Sequence, residues 1–130
     1  MKTDSNQFLP NMKEKHIFII ESEAIVRLDF RLQLENMGYN IHWPIPFTNV
    51  KETLSKLKPD LIIIDFDLCR RGAFLPIREI MSQHQIPIIY LGVNKVEDVN
   101  MNSDLNIIGV FSIPYMTVEI VSLVKKCLAA

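Results

Sequence analysis

Side chains able to do chemistry gather at four places in this sequence, and each place directly follows an apolar run. Glu21-Ser22-Glu23 follows HIFII, Asp65 and Asp67 close DLIIIDFD, Gly92 and Asn94 follow IPIIYL, and Ser112-Ile113-Pro114 follows IIGVF. Carboxylates are hard oxygen donors suited to a divalent cation. They also have local uses. Asp65 can satisfy backbone donors just after its strand, Glu21 and Glu23 can be first-turn acids favoured by a helix terminus, and Asp67 reads as a loop residue. Other chemistries lack their parts. There is no GxGxxG or P-loop pattern, and His16, His42 and His84 show no ligand spacing. Cys69 and Cys127 form no CxxC and read as free thiols. No nucleophile–base set can be argued from spacing.

The elements that must position these residues follow from periodicity. Residues 16–20 read as a buried strand. A helix follows, capped by Ser22 and ended by a left-handed Gly38, with Ile25, Leu28 and Leu32 as its apolar stripe. Residues 39–43 form a second strand, broken by Pro44 and Pro46. Thr48 caps a helix over 49–57. The uninterrupted run Leu61 to Ile64 predicts a central strand buried on both faces. A polar loop over 67–72 leads to a helix over 73–82, with Pro76 in its first turn. Pro87 starts a fourth strand. Residues 94–105 predict a short or loose helix, 107–111 a fifth strand and 115–128 the last helix, with Ile120, Val124 and Cys127 on one side. Strand and helix alternate with no hairpin signal, so the sheet is parallel and covered on both faces. In such a sheet, ligands bind at the carboxyl ends of the strands, where the candidate residues stand.

Composition narrows the function classes. The chain has 130 residues, 48% of them hydrophobic, with 14 basic and 15 acidic side chains. Near-neutral charge gives no general pull toward nucleic acid or an anionic membrane. Residues 1–15 lack the apolar core of a signal peptide, and no run approaches a membrane span. The expected compartment is the cytoplasm. Residues 1–14 are expected to be a flexible segment or linker, and 15–130 one domain. Arg70-Arg71 reads as a solvated loop pair, and Trp43 as a partly exposed residue at the end of an edge-like strand.

The segments HIFIIESEAIVRLDFRLQLENMGYNI, KPDLIIIDFDL, IPIIYLGV and SIPY lie in a specific register. Over about residues 15–128 the chain resembles the receiver domain of bacterial or archaeal two-component response regulators, and the similar module of hybrid histidine kinases. The resemblance implies a flavodoxin-like fold, a doubly wound five-stranded parallel sheet in order 2-1-3-4-5. It also implies a phosphoryl-accepting aspartate, matched by Asp65. Acidic residues after the first strand help hold Mg²⁺ in that family; Glu21 matches one and Ser22 stands at the other. Asp67 would offer its backbone carbonyl. Gly92 stands where the family has a Thr or Ser, Ile113 where it has a lysine, and Val110 where it has an aromatic switch residue. Pro114 matches a proline that follows a cis bond.

These departures have physical weight. A neutral hydroxyl at Ser22 lowers divalent affinity. Phosphoryl chemistry depends on cationic stabilisation that Ile113 cannot supply and on a hydroxyl that Gly92 lacks. The expectation is an atypical receiver, not an enzyme, that acts through protein–protein contacts with impaired or absent phospho-switching. It would have no cofactor beyond weak Mg²⁺, and no direct nucleic-acid or membrane partner. Expected partners are a histidine kinase or an output domain. A homodimer is expected through the face of the fourth helix, fifth strand and fifth helix, where Met101, Leu105, Tyr115 and Met116 lie. The alternatives are a phosphorylatable receiver that accepts phosphoryl at Asp65, and a flavodoxin-like small-molecule binder or enzyme.

Overall fold

A computed structural model describes residues 14–44 and 50–129. Strands β1 (His16–Ile20), β2 (Asn40–His42), β3 (Leu61–Asp65), β4 (Ile88–Leu91) and β5 (Ile107–Phe111) form one sheet in the order β2-β1-β3-β4-β5. Every pairing is parallel. The helices are α1 (Ala24–Asn36), α2 (Val50–Leu57), α3 (Phe66–Arg70), α4 (Leu75–Gln83) and α5 (Thr117–Leu128). The expected topology is therefore present. Thr48, Pro46 and the expected N-terminal segment up to residue 13 lie outside the described residues.

Alternation along each strand builds two apolar layers. On one side Phe18, Ile20, Ile62, Ile64, Ile88 and Tyr90 meet Val50 and Leu54 of α2 and Ile77 and Met81 of α4. On the other, Ile17, Ile19, Ile63 and Ile89 meet Phe30 and Leu34 of α1 and Ile120 and Val124 of α5. Burying one such side chain is worth about 1.5–3 kcal/mol, so these layers hold the strand ends in place. Pro87 precedes β4, where its carbonyl still accepts from the Ile62 N–H at 2.9 Å. Pro76 sits in the first turn of α4, where a missing N–H costs little. Gly38 has φ +93°, and the Tyr39 N–H bonds back to the Leu34 carbonyl at 3.2 Å, closing α1.

Several expectations are corrected. The α1 stripe faces the other way: Ile25, Leu28 and Leu32 are 83%, 52% and 62% exposed, while Phe30 and Leu34 are buried. This helix carries two opposed apolar stripes, Ile25-Leu28-Leu32 and Val26-Phe30-Leu34, and spacing alone could not choose which one meets the sheet. Ser22 does not cap α1; Glu23 holds that position without a side-chain bond. The loop expected over 67–72 is mostly helix α3, followed by a 3-10 turn over Gly72–Phe74. Between β4 and β5 the short or loose helix expected over 94–105 is only a 3-10 turn, Val96–Asp98. The side of β5 facing the α2–α4 layer therefore has little cover, and all of Ile107–Phe111 is only half-buried.

Candidate functional site

The carboxyl ends of β1, β3, β4 and β5 bring the candidate residues to one edge of the sheet. Glu21 leaves β1 and turns inward; it is 4% exposed. Its Oε1 accepts from the Glu23 N–H at 3.1 Å and from Ser22 Oγ at 3.4 Å. Arg27 Nη1 donates to the carbonyls of Glu21 and Ser22 at 2.8 and 3.0 Å, pinning this turn to α1. Burial raises the Glu21 pKa above the usual carboxylate value, the neighbouring Asp65 charge raises it further, and the bond from the Glu23 N–H opposes both.

Asp65 ends β3 and begins α3. Its Oδ1 accepts from the Leu68 N–H at 3.0 Å, so the carboxylate caps the short helix behind it. The local use of Asp65 is thus realised, and its other oxygen faces the edge shared with β4 and β5. Gly92, just past β4, has φ +71°. A β-carbon built there would lie 3.5 Å from Asp65 Oδ2 and 3.7 Å from Ile113 Cδ1. The glycine thus leaves the space beside Asp65 unfilled and places the isoleucine tip at its border. Ile113 is 69% exposed, and its bond to Pro114 is cis, as the resemblance implied. Val110 is half-buried against the α2–α4 layer. Asp67 lies in the first turn of α3, with its side chain in solvent.

Tyr115 was expected at an interface, yet its phenol sits within the field of the acidic cluster. Burial and then the charges of Glu21, Glu23, Asp65 and Asp29 push its pKa up to about 12. The only hint in the sequence is that it directly follows Pro114. The other interface candidates divide. Met101 and Met116 are exposed, Leu105 packs toward the α2–α4 layer, and Tyr115 toward the opposite one. The histidines also hold a surprise. His16 Nδ1 and His42 Nε2 are 2.9 Å apart across β1 and β2, and burial lowers the His42 pKa. Trp43 stacks under the Arg31 guanidinium at 4.7 Å, and Arg70 lies over the Phe66 ring at 5.2 Å.

Among the described residues, no group of three or more His, Cys, Asp or Glu is arranged to hold a metal. Mg²⁺ can be bound by one or two carboxylates with several waters. Glu21 and Asp65 are such a pair, but each has one oxygen engaged by a backbone N–H, and Ser22 Oγ turns to Glu21. This donor set fits a weakly held, mostly hydrated ion. Bound there, Mg²⁺ would offset the mutual repulsion of the two carboxylates.

No protein-family model matches the chain. Among curated proteins it is similar to the transcriptional regulatory protein PdtaR of Mycobacterium tuberculosis, 32% identical over 90 residues that cover 68% of this chain and 42% of that one. It is also similar to the aerobic respiration control protein ArcA of Escherichia coli, 23% identical over 120 residues, 88% of this chain and 50% of that one. The chain thus spans half or less of the length of these relatives. Among solved structures, the non-phosphorylated HemR receiver domain from Leptospira biflexa aligns with a TM-score of 0.74 at 14% identity, over 90% of this chain and 96% of that domain. The chain has the receiver fold, and its sequence likeness is to a transcriptional regulatory protein and a respiration control protein.

Proposed function

We propose that this chain is a receiver-type module of two-component signalling that works through protein–protein contacts and not through a phosphorylation-driven switch. The observation that carries the reading is the neighbourhood of Asp65. A glycine in left-handed conformation and the apolar tip of Ile113 stand where a new phosphoryl group would need a hydroxyl and a cation. A modification shifts a two-state equilibrium only through differential contacts with its two states. Here a phosphoryl on Asp65 would meet no side chain able to read its charge from β4 or β5, while its capping bond to Leu68 favours one fixed arrangement of α3.

The contact reading has its own support. Ile25, Leu28 and Leu32 form an exposed apolar row on α1. Gln33 of α1 donates to Thr117 Oγ1 at 2.8 Å, which joins this helix to the start of α5, where Met116 and Val118 are also exposed. Contiguous exposed apolar side chains mark interaction surfaces. A histidine kinase or an output module of a signalling chain is the proposed partner. A homodimer involving Met101 and Met116 is the alternative, and sedimentation over a range of concentrations separates the two.

The test of the switch is treatment with acetyl phosphate and Mg²⁺, with intact mass and amide shifts recorded on the same sample. The expected result is little or no phosphoryl gain and no shifts reaching residues 105–120. A stoichiometric phosphoryl gain that disappears in Asp65→Ala, with shifts spreading through β5, would establish the conventional switch instead.

A further inference from the structure

Where the described chain forms no α-helix between β4 and β5, the sheet edge is hollow. Two adjoining cavities, about 420 and 260 Å³, lie between α4 and residues 98–107, and Arg78 of α4 lines both. Arg78 makes no hydrogen bond or ion pair among the described residues, and its Nε is shut off from solvent without an acceptor. A surface arginine ordinarily keeps its charged end in water while its stem packs. A guanidinium with a buried, unanswered N–H instead carries a cost that a ligand acceptor would remove.

The smaller cavity supplies the rest of a site. Arg70 brings a second guanidinium, while Tyr90 and Cys69 stand in the wall. The Tyr90 hydroxyl and the Cys69 thiol pair at 3.7 Å, and burial holds both groups in their neutral, proton-bearing forms. Val99, Leu105 and Ile107 make the remaining wall apolar, with the Asp98 carboxylate also present. The acids Glu79 and Asp104 line the larger cavity, so only the smaller one sets two cations against one acid; that balance favours an anion of low charge there, and the planar guanidinium fork matches a carboxylate. The apolar wall asks for a hydrocarbon body.

We propose that the Arg78 cavity binds a small monocarboxylic acid with an apolar body, whose carboxylate is taken by Arg78. Such a ligand would bridge α4 to the segment before β5. It would give the module an input independent of Asp65, so the inference stands whichever way the acetyl phosphate experiment falls.

The test uses the full chain, ¹⁵N-labelled, titrated with acetate, benzoate and phenylacetate and with the neutral isostere benzamide. Benzoate or phenylacetate is expected to give saturable amide shifts confined to residues 66–70, 78 and 98–107, and benzamide to bind about tenfold more weakly, the scale of one charge-assisted hydrogen bond. Arg78→Gln should remove that preference for the acid. If the Gln variant does not fold, Arg78→Lys serves, because it keeps the charge and loses the fork, and weaker carboxylate binding is the supporting result. Absence of saturable shifts with every acid, equal binding of benzamide, or unchanged binding in the folded Arg78 variant would overturn the proposal.

Discussion

Gly92 is the position where restoring a side chain has a cost that the structure sets. Its φ of +71° lies in the left-handed region, while the β-carbon clearances of 3.5 and 3.7 Å are ordinary contacts. A β-carbon there therefore meets no clash, and backbone strain sets the cost of a serine. That strain is about 1–2 kcal/mol for an L-residue, and loss of chain freedom in the unfolded state returns about 0.4–1 kcal/mol. Gly92→Ser should lose roughly 1 kcal/mol, which is about 4 °C in Tm for a domain of this size. Gly92→Asn, whose side chain tolerates the left-handed region, should lose less, and β-branched Gly92→Thr more. Urea melts of the three variants give the ranking directly. If Thr is as well tolerated as Asn, the loop is not held in this conformation. Gly92 would then be a simple loss of a hydroxyl and not part of a different loop geometry.

Glu21→Gln should stabilise the fold at neutral pH. The folded pKa of Glu21 is raised, so the native state holds its proton more tightly than the unfolded chain, and stability falls as pH climbs from the ordinary glutamate value through the raised one. The variant's advantage should be absent below that window and complete above it; thermal melts from pH 4 to 8 that show the opposite slope would contradict the assignment. Gly109→Ala should cost about 1 kcal/mol, the low end for overpacking, because its β-carbon would come 2.6 Å from Leu123 Cδ2 and 3.1 Å from Phe111 Cε2, both side-chain ends that can shift. Denaturant melts that show no loss would mean that α5 yields easily. Ser22→Asp, by adding a third carboxylate beside Glu21 and Asp65, should tighten Mg²⁺ about tenfold in a calorimetric titration; an unchanged affinity would place the ion elsewhere.

Much of this protein was legible because the physics involved is local or periodic. Unbroken apolar runs such as Leu61–Ile64 must be buried on both faces, and their alternation with helical stripes leaves a parallel sheet as the answer. Pro87, Pro76 and Gly38 marked boundaries because their backbone limits act within one or two residues. The positions of Glu21, Asp65, Gly92 and Ile113 at the strand ends followed from the same rhythm. Tertiary structure decided what depends on a neighbour distant in sequence. It turned Phe30 and Leu34 inward and left Ile25, Leu28 and Leu32 outside, because this helix carries two opposed apolar stripes and only the sheet selects one. It converted Asp65 into a helix cap, brought Tyr115 into the field of four carboxylates, and set His16 against His42. It also left Arg78 without an acceptor. An unmet hydrogen bond is a property of the space around a group, and a linear sequence does not contain that space.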